Sequence, residues 1–131
     1  ADRLGVLGRN GQPHVGWGDW PHFVASSRQV LGFLSPGFVP ALATLATIGE
    51  GLFGALILIG LFTRMAAIGS AILSFCFAIA MAISFGIESP LGYSVFTLSA
   101  ASLLLAAMPA YPWSIDSQLS KKDNKTAIIN N

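Results

Sequence analysis

The chain has 131 residues, 53% of them hydrophobic and only 10% charged, with a formal net charge of +1. A soluble domain carries roughly 25% charged residues. From Gln29 to Ile115 the only formally charged side chains here are Glu50, Arg64 and Glu88, too few to solvate a soluble surface. The composition therefore argues for an integral membrane protein and against a soluble enzyme domain. With so small a net charge and no basic stripe it also argues against a nucleic-acid partner.

Residues 1–37 are rich in Gly, Pro, Trp and charge and read as an extracytoplasmic aromatic loop. The stretch Trp17-Gly-Asp-Trp-Pro-His-Phe23 sets Trp17, Trp20 and Phe23 within seven residues, as expected of an interface belt at the headgroup level. Asp19 before Trp20 and Pro21 suits a helix start. A short amphipathic helix over about 20–34 is expected to lie along the membrane surface.

Three hydrophobic segments follow over residues 38–113, at about 38–61, 65–85 and 91–108. The first two are long enough to cross a ~30 Å hydrocarbon core and the third is near the lower limit of length. Backbone groups in lipid must bond within their own segment unless a barrel closes, and alternation of period two is absent. The fold class expected is all-α membrane protein with three transmembrane helices. Residues 114–131 read as a polar cytoplasmic tail with Lys121, Lys122 and Lys125, disordered at its end. The basic residues place the turn Gly60-Leu-Phe-Thr-Arg64 and this tail on the cytoplasmic side.

Small residues mark the helix-packing faces. Thr44, Thr47, Gly51 and Gly54 recur at spacings of three and four, and Ala66, Ser70, Ser74, Ala78 and Ala82 at four. Stripes of this kind let helices approach closely where lipid offers no hydrophobic drive. Two such faces on three helices leave room for another partner, either further membrane subunits or a second copy of the chain.

Glu50 falls about halfway along the first hydrophobic segment, where a carboxylate costs roughly 2.5–3.5 kcal/mol on insertion scales. It is expected to be buried in the bundle beside Thr47, with Ser70, Ser74, Thr97 and Tyr93 as hydrogen-bond partners. Two readings stay open: a proton or quinone-headgroup contact, and a structural acid that ties helices together. Arg64 reads as a snorkelling topology anchor, and with Thr47 and Thr63 it is also a candidate buried polar residue. Cys76, the single cysteine, forms no internal disulfide and reads as a small packing residue. His14 and His22 match no standard metal spacing, so no metal is assigned. No Walker loop, GxGxxG fingerprint, nucleophile motif or CxxCH is present. No cofactor is evident, and a quinone is the one candidate.

The run Glu50-Gly-Leu-Phe-Gly-Ala-Leu-Ile-Leu-Ile-Gly-Leu-Phe-Thr-Arg64-Met-Ala-Ala67, preceded by Trp17-Gly-Asp-Trp-Pro-His-Phe23, resembles the DoxX family of small bacterial membrane proteins. The resemblance covers Ala1 to Trp113, and Glu50, Gly54, Gly60, Thr63 and Arg64 match the shared motif. It implies a four-helix bundle in the bacterial inner membrane with an aromatic outer loop after the first helix. That first helix is not in this chain, and a truncated start is the expected account. Some members resemble the membrane subunit of a thiosulfate:quinone oxidoreductase, and others are linked to thiol and oxidative-stress complexes. The expected function is a non-catalytic membrane subunit or scaffold of a larger inner-membrane assembly. The alternative is the quinone-reactive subunit of an oxidoreductase, with Glu50 handling protons.

Overall fold

Residues 2–119 are described by the structure, a computed structural model. A 3-10 turn at Asp2–Leu4 and a loop lead into α1 (Trp20–Val30), which Asp19 caps by accepting a hydrogen bond from the His22 N–H at 2.9 Å. The capping matches the sequence reading, but the helix stops four residues short of 34, at Leu31 and Gly32. It packs against α2 and α3. Its last carbonyl, on Val30, accepts from the Ser84 hydroxyl at 2.6 Å.

Next come α2 (Val39–Ile59, 21 residues) and α3 (Thr63–Phe85, 23 residues), each about 32–35 Å long at 1.5 Å per residue. Both are long and apolar enough to cross a membrane. Gly60 ends α2 in the left-handed region at φ 70°, and the Leu61 N–H returns to the Leu56 carbonyl at 3.0 Å. This six-to-one bond satisfies a carbonyl the helix end would otherwise strand.

The third hydrophobic segment is not one helix. It divides into α4 (Glu88–Gly92) and α5 (Val95–Ala107), because Ser94 turns left-handed at φ 56° and interrupts the ladder. At 13 residues α5 spans about 20 Å, less than the hydrocarbon core.

Packing is inverted relative to a soluble domain. Ala66, Ala67, Ala71, Ser74 and Ala78 of α3 are buried, as are Ser99, Ser102 and Ala106 of α5, while Leu58 is 88% and Leu104 71% exposed. Ser99 donates to the Ala71 carbonyl at 2.9 Å, and the Ser70 and Ser102 hydroxyls pair at 3.3 Å. Small and hydroxylated residues lie inside and large apolar ones outside, as expected where lipid surrounds the helices. The molecule is an all-α membrane helical bundle.

The expected α3 stripe therefore packs, against α5. Its α2 counterpart does not. A Cβ at Gly51 or Gly54 would meet no atom within 4 Å, whereas one at Gly49 would lie 3.3 Å from Leu73 and one at Gly69 2.5 Å from the Phe53 ring. The α2–α3 contact is thus made by Gly49 and Gly69, on the other side of α2. Cys76 is exposed on α3, so it is not the packing residue its small size suggested. Of the polar tail, residues 115–119 form a short helical turn. The three lysines and the tail end expected to be disordered lie outside the described residues.

Candidate functional site

The acid at the middle of α2 finds its partner in the N-terminal segment. Arg3 Nη2 lies 2.6 Å from Glu50 Oε2, and Arg3 Nη1 donates to Thr47 Oγ1 at 2.8 Å. Thr47 in turn donates to the Ala43 carbonyl at 2.8 Å. One turn of α2 separates Thr47 from Glu50, so both face the same guanidinium.

Aromatic rings hold the cation from the other side. The Arg3 guanidinium carbon stands 4.3 Å from the Phe23 ring centre and 5.5 Å from that of Trp17, within cation–π range. Phe23 meets Trp17 edge-on at 5.1 Å and Trp20 tilted at 5.3 Å. Phe23 is buried, and it and Trp17 flank Arg3, with Trp20 behind Phe23. Trp17 and Phe23 are thus turned towards Arg3, and Trp17 and Trp20 stay half-buried. The physical reason is that a guanidinium carried towards an apolar helix is stabilised by a carboxylate and by ring faces together.

Asp2 sets the position of Arg3. Its carboxylate accepts from the N–H groups of Gly16, Trp17 and Gly18 at 3.0–3.1 Å, drawing the loop and the Trp17 ring back over its neighbour. Desolvation pushes the Asp2 carboxyl up, but the Trp17, Gly18 and Gly16 N–H groups outweigh it and hold it below the ordinary 3.8.

Expected burial of Glu50 does not hold. Its side chain is 42% exposed, against 17% for Arg3. None of Ser70, Ser74, Thr97 and Tyr93 is its partner. Ser70 is engaged with Ser102, Ser74 is buried against α5's side of α3, and Thr97 and Tyr93 are exposed. The acid projects from α2 beside the open positions Gly51 and Gly54, away from the α3–α5 contact. Nothing in the sequence singles out Arg3 among the charges of residues 1–37; an uncompensated acid in an apolar helix is the signal that a cation has to come from elsewhere.

A second polar cluster sits at the α2–α3 turn. Asp116 Oδ1 accepts from the Phe62 N–H and Oδ2 from the Thr63 N–H, both at 2.8 Å, while its own N–H donates to the Gly60 carbonyl at 3.0 Å. The Thr63 N–H above all holds the Asp116 carboxyl below 3.8. Phe62 is left-handed at φ 47°, and Asp116 fixes that conformation. A Cβ on Gly60 would lie 2.7 Å from Ser114 Cβ, so glycine there is needed for both its φ and the close approach. Thr63 is buried, whereas Arg64 is exposed and forms no ion pair among the described residues. Arg64 therefore does not share the buried setting expected of it.

Among comparisons with known proteins, the family described as TQO small subunit DoxD matches residues 21–130. The chain belongs to this family. No curated protein and no solved structure matches it.

The DoxD match spans α1 to α5 and both clusters' helical residues, and it supports the DoxX-like resemblance drawn from Glu50 to Ala67. Arg3 precedes residue 21, so the cation of the first cluster comes from outside the matched stretch. His22 in this DoxD-family chain pairs through Nδ1 with Asp19 Oδ1 at 2.8 Å, in an exposed setting. No group of three metal-ligating side chains occurs among the described residues.

Proposed function

We propose that the chain is the small membrane subunit of an inner-membrane oxidoreductase of the thiosulfate:quinone type, acting as part of a larger assembly. The family match over residues 21–130 carries this reading. The α2 surface supports it. Thr44, Ile48, Gly51, Leu52 and Ala55 are exposed along one face, beside a carboxylate that hydrocarbon alone does not stabilise. Such a face is suited to another subunit.

Purification of the tagged chain from its native membrane in mild detergent tests the proposal. Co-purification of partner subunits, with loss of thiosulfate-dependent quinone reduction when the gene is deleted, is the expected result. A chain that purifies alone, and whose deletion leaves that activity intact, overturns it.

The Arg3–Glu50 cluster favours a second reading, in which this subunit itself contacts the quinone. Arg3 donates to Thr47 and pairs with Glu50, Glu50 accepts, and Gly51 and Gly54 leave open space beside them. That donor and acceptor set fits a headgroup carrying carbonyl or hydroxyl oxygens. Bound quinone would supply the two-electron acceptor, with electrons arriving from a partner subunit. Glu50 would exchange a proton at its carboxylate and Arg3 would orient a ring oxygen. Quinone retained by the purified chain and lost in Glu50→Leu is the result expected; retention at wild-type level in Glu50→Leu rejects it.

A further inference from the structure

We infer that the segment Trp113–Leu119 is an interfacial anchor that seats on an anionic phospholipid surface, held at headgroup depth by its clamp on the α2–α3 turn. This does not rest on the quinone reading.

Depth is set by the turn. Gly60 to Thr63 joins two helices long enough to span the bilayer, so this turn stands at a membrane boundary. The following segment is fastened to it by the three bonds of Asp116. Ser114 is buried against Gly60 and accepts from the Ser117 N–H at 3.2 Å, which starts the turn over residues 115–119.

Large apolar side chains are left outside this clamp, beside the exposed Gln118. Trp113 is 99% exposed, and Ile115, Leu119, Phe62 and Met65 are exposed too. They continue the lipid-facing surface of α2 through Leu58 and Ile59. A Trp at this level, with Ile and Leu four residues apart, is the composition of a surface-seated helix.

Charge selects the lipid. Arg64 is exposed on the same turn. The Asp116 charge is taken up by backbone N–H groups. A basic residue beside an apolar wedge is drawn to anionic headgroups. The side of the membrane that the basic residues mark as cytoplasmic carries such lipids.

The test uses the full chain with Cys76→Ser and Leu119→Cys, the new thiol carrying an environment-sensitive nitrobenzoxadiazole label. It is reconstituted in nanodiscs of phosphatidylcholine alone or with phosphatidylglycerol. The label should be quenched by brominated lipid and shielded from iodide, more so with phosphatidylglycerol, and high salt should reverse the increment. Arg64→Gln should weaken the phosphatidylglycerol preference roughly fivefold. Trp113→Ala removes a side chain that is 99% exposed, so it should leave the fold intact and reduce shielding in both lipids. Equal iodide access with and without anionic lipid overturns the proposal. So does shielding that appears only when other subunits are present, which would make this a protein-docking surface.

Discussion

Arg3 and Glu50 form an ion pair at 2.6 Å that joins the loop before α1 to the middle of α2. The pair is asymmetric, since Arg3 also has Thr47 and two aromatic rings while Glu50 has Arg3 alone as ion-pair partner among the described residues. Removing either side therefore has different consequences.

Arg3→Ala strands a carboxylate on an apolar helix, whereas Glu50→Gln keeps an acceptor for the guanidinium. Arg3→Ala should lower stability by about 1–2 kcal/mol, reduced from a fully buried pair because Glu50 is part-exposed. Glu50→Gln should cost less. Thermal unfolding in detergent measures both, and an equal loss would show that the hydrogen bonds are not what matters. In the assembled complex, Gln that assembles but is inactive supports proton handling; Gln that is active, with Leu failing to assemble, supports a structural acid.

Glycines at the α2–α3 contact and on the open face of α2 should respond differently. Gly69→Val drives a side chain into the Phe53 ring and should destabilise by about 1–3 kcal/mol. Gly51→Ala and Gly54→Ala meet open space and should change the isolated chain by no more than about 0.5 kcal/mol. If these two alanines impair the assembly but not the isolated chain, the α2 face is a subunit contact. Destabilisation of the isolated chain by either one contradicts the packing described.

Asp116 makes an acid-sensitive clamp with a defined window. Its folded carboxyl lies below 3.8, so the ionised form is favoured by folding. The contribution is present above 3.8 and is lost as pH falls through the lowered value. Protease sensitivity of the α2–α3 turn should be flat at neutral pH and rise only in strong acid. Asp116→Asn should raise it at neutral pH, and the difference from wild type should shrink in strong acid. A wild-type transition near neutrality would show that another group controls the turn.

Topology follows from the two ends of α3. Gln118 and Glu88 are both exposed and lie at the Gly60 turn and beyond Gly86, respectively. Cysteine at 118 should label from the cytoplasmic side and cysteine at 88 from the outer side, in a Cys76→Ser background. Labelling of both from one side rejects two crossings by α2 and α3.

Composition and pattern determined the membrane class, the extents of α2 and α3 to within two residues, the Asp19 cap, the Gly60 turn and the α3 packing stripe. These are legible because hydropathy, caps and spacing act locally or along a single helix. Tertiary structure decided the rest. It placed Arg3 against Glu50, set Trp17 and Phe23 beside Arg3, opened the Gly51 and Gly54 face, broke the third segment at Ser94, and fixed Asp116 on the Thr63 N–H. Each of these depends on which distant groups meet. A charge in an apolar helix announces that it needs a partner, but only the path of the chain through space selects one.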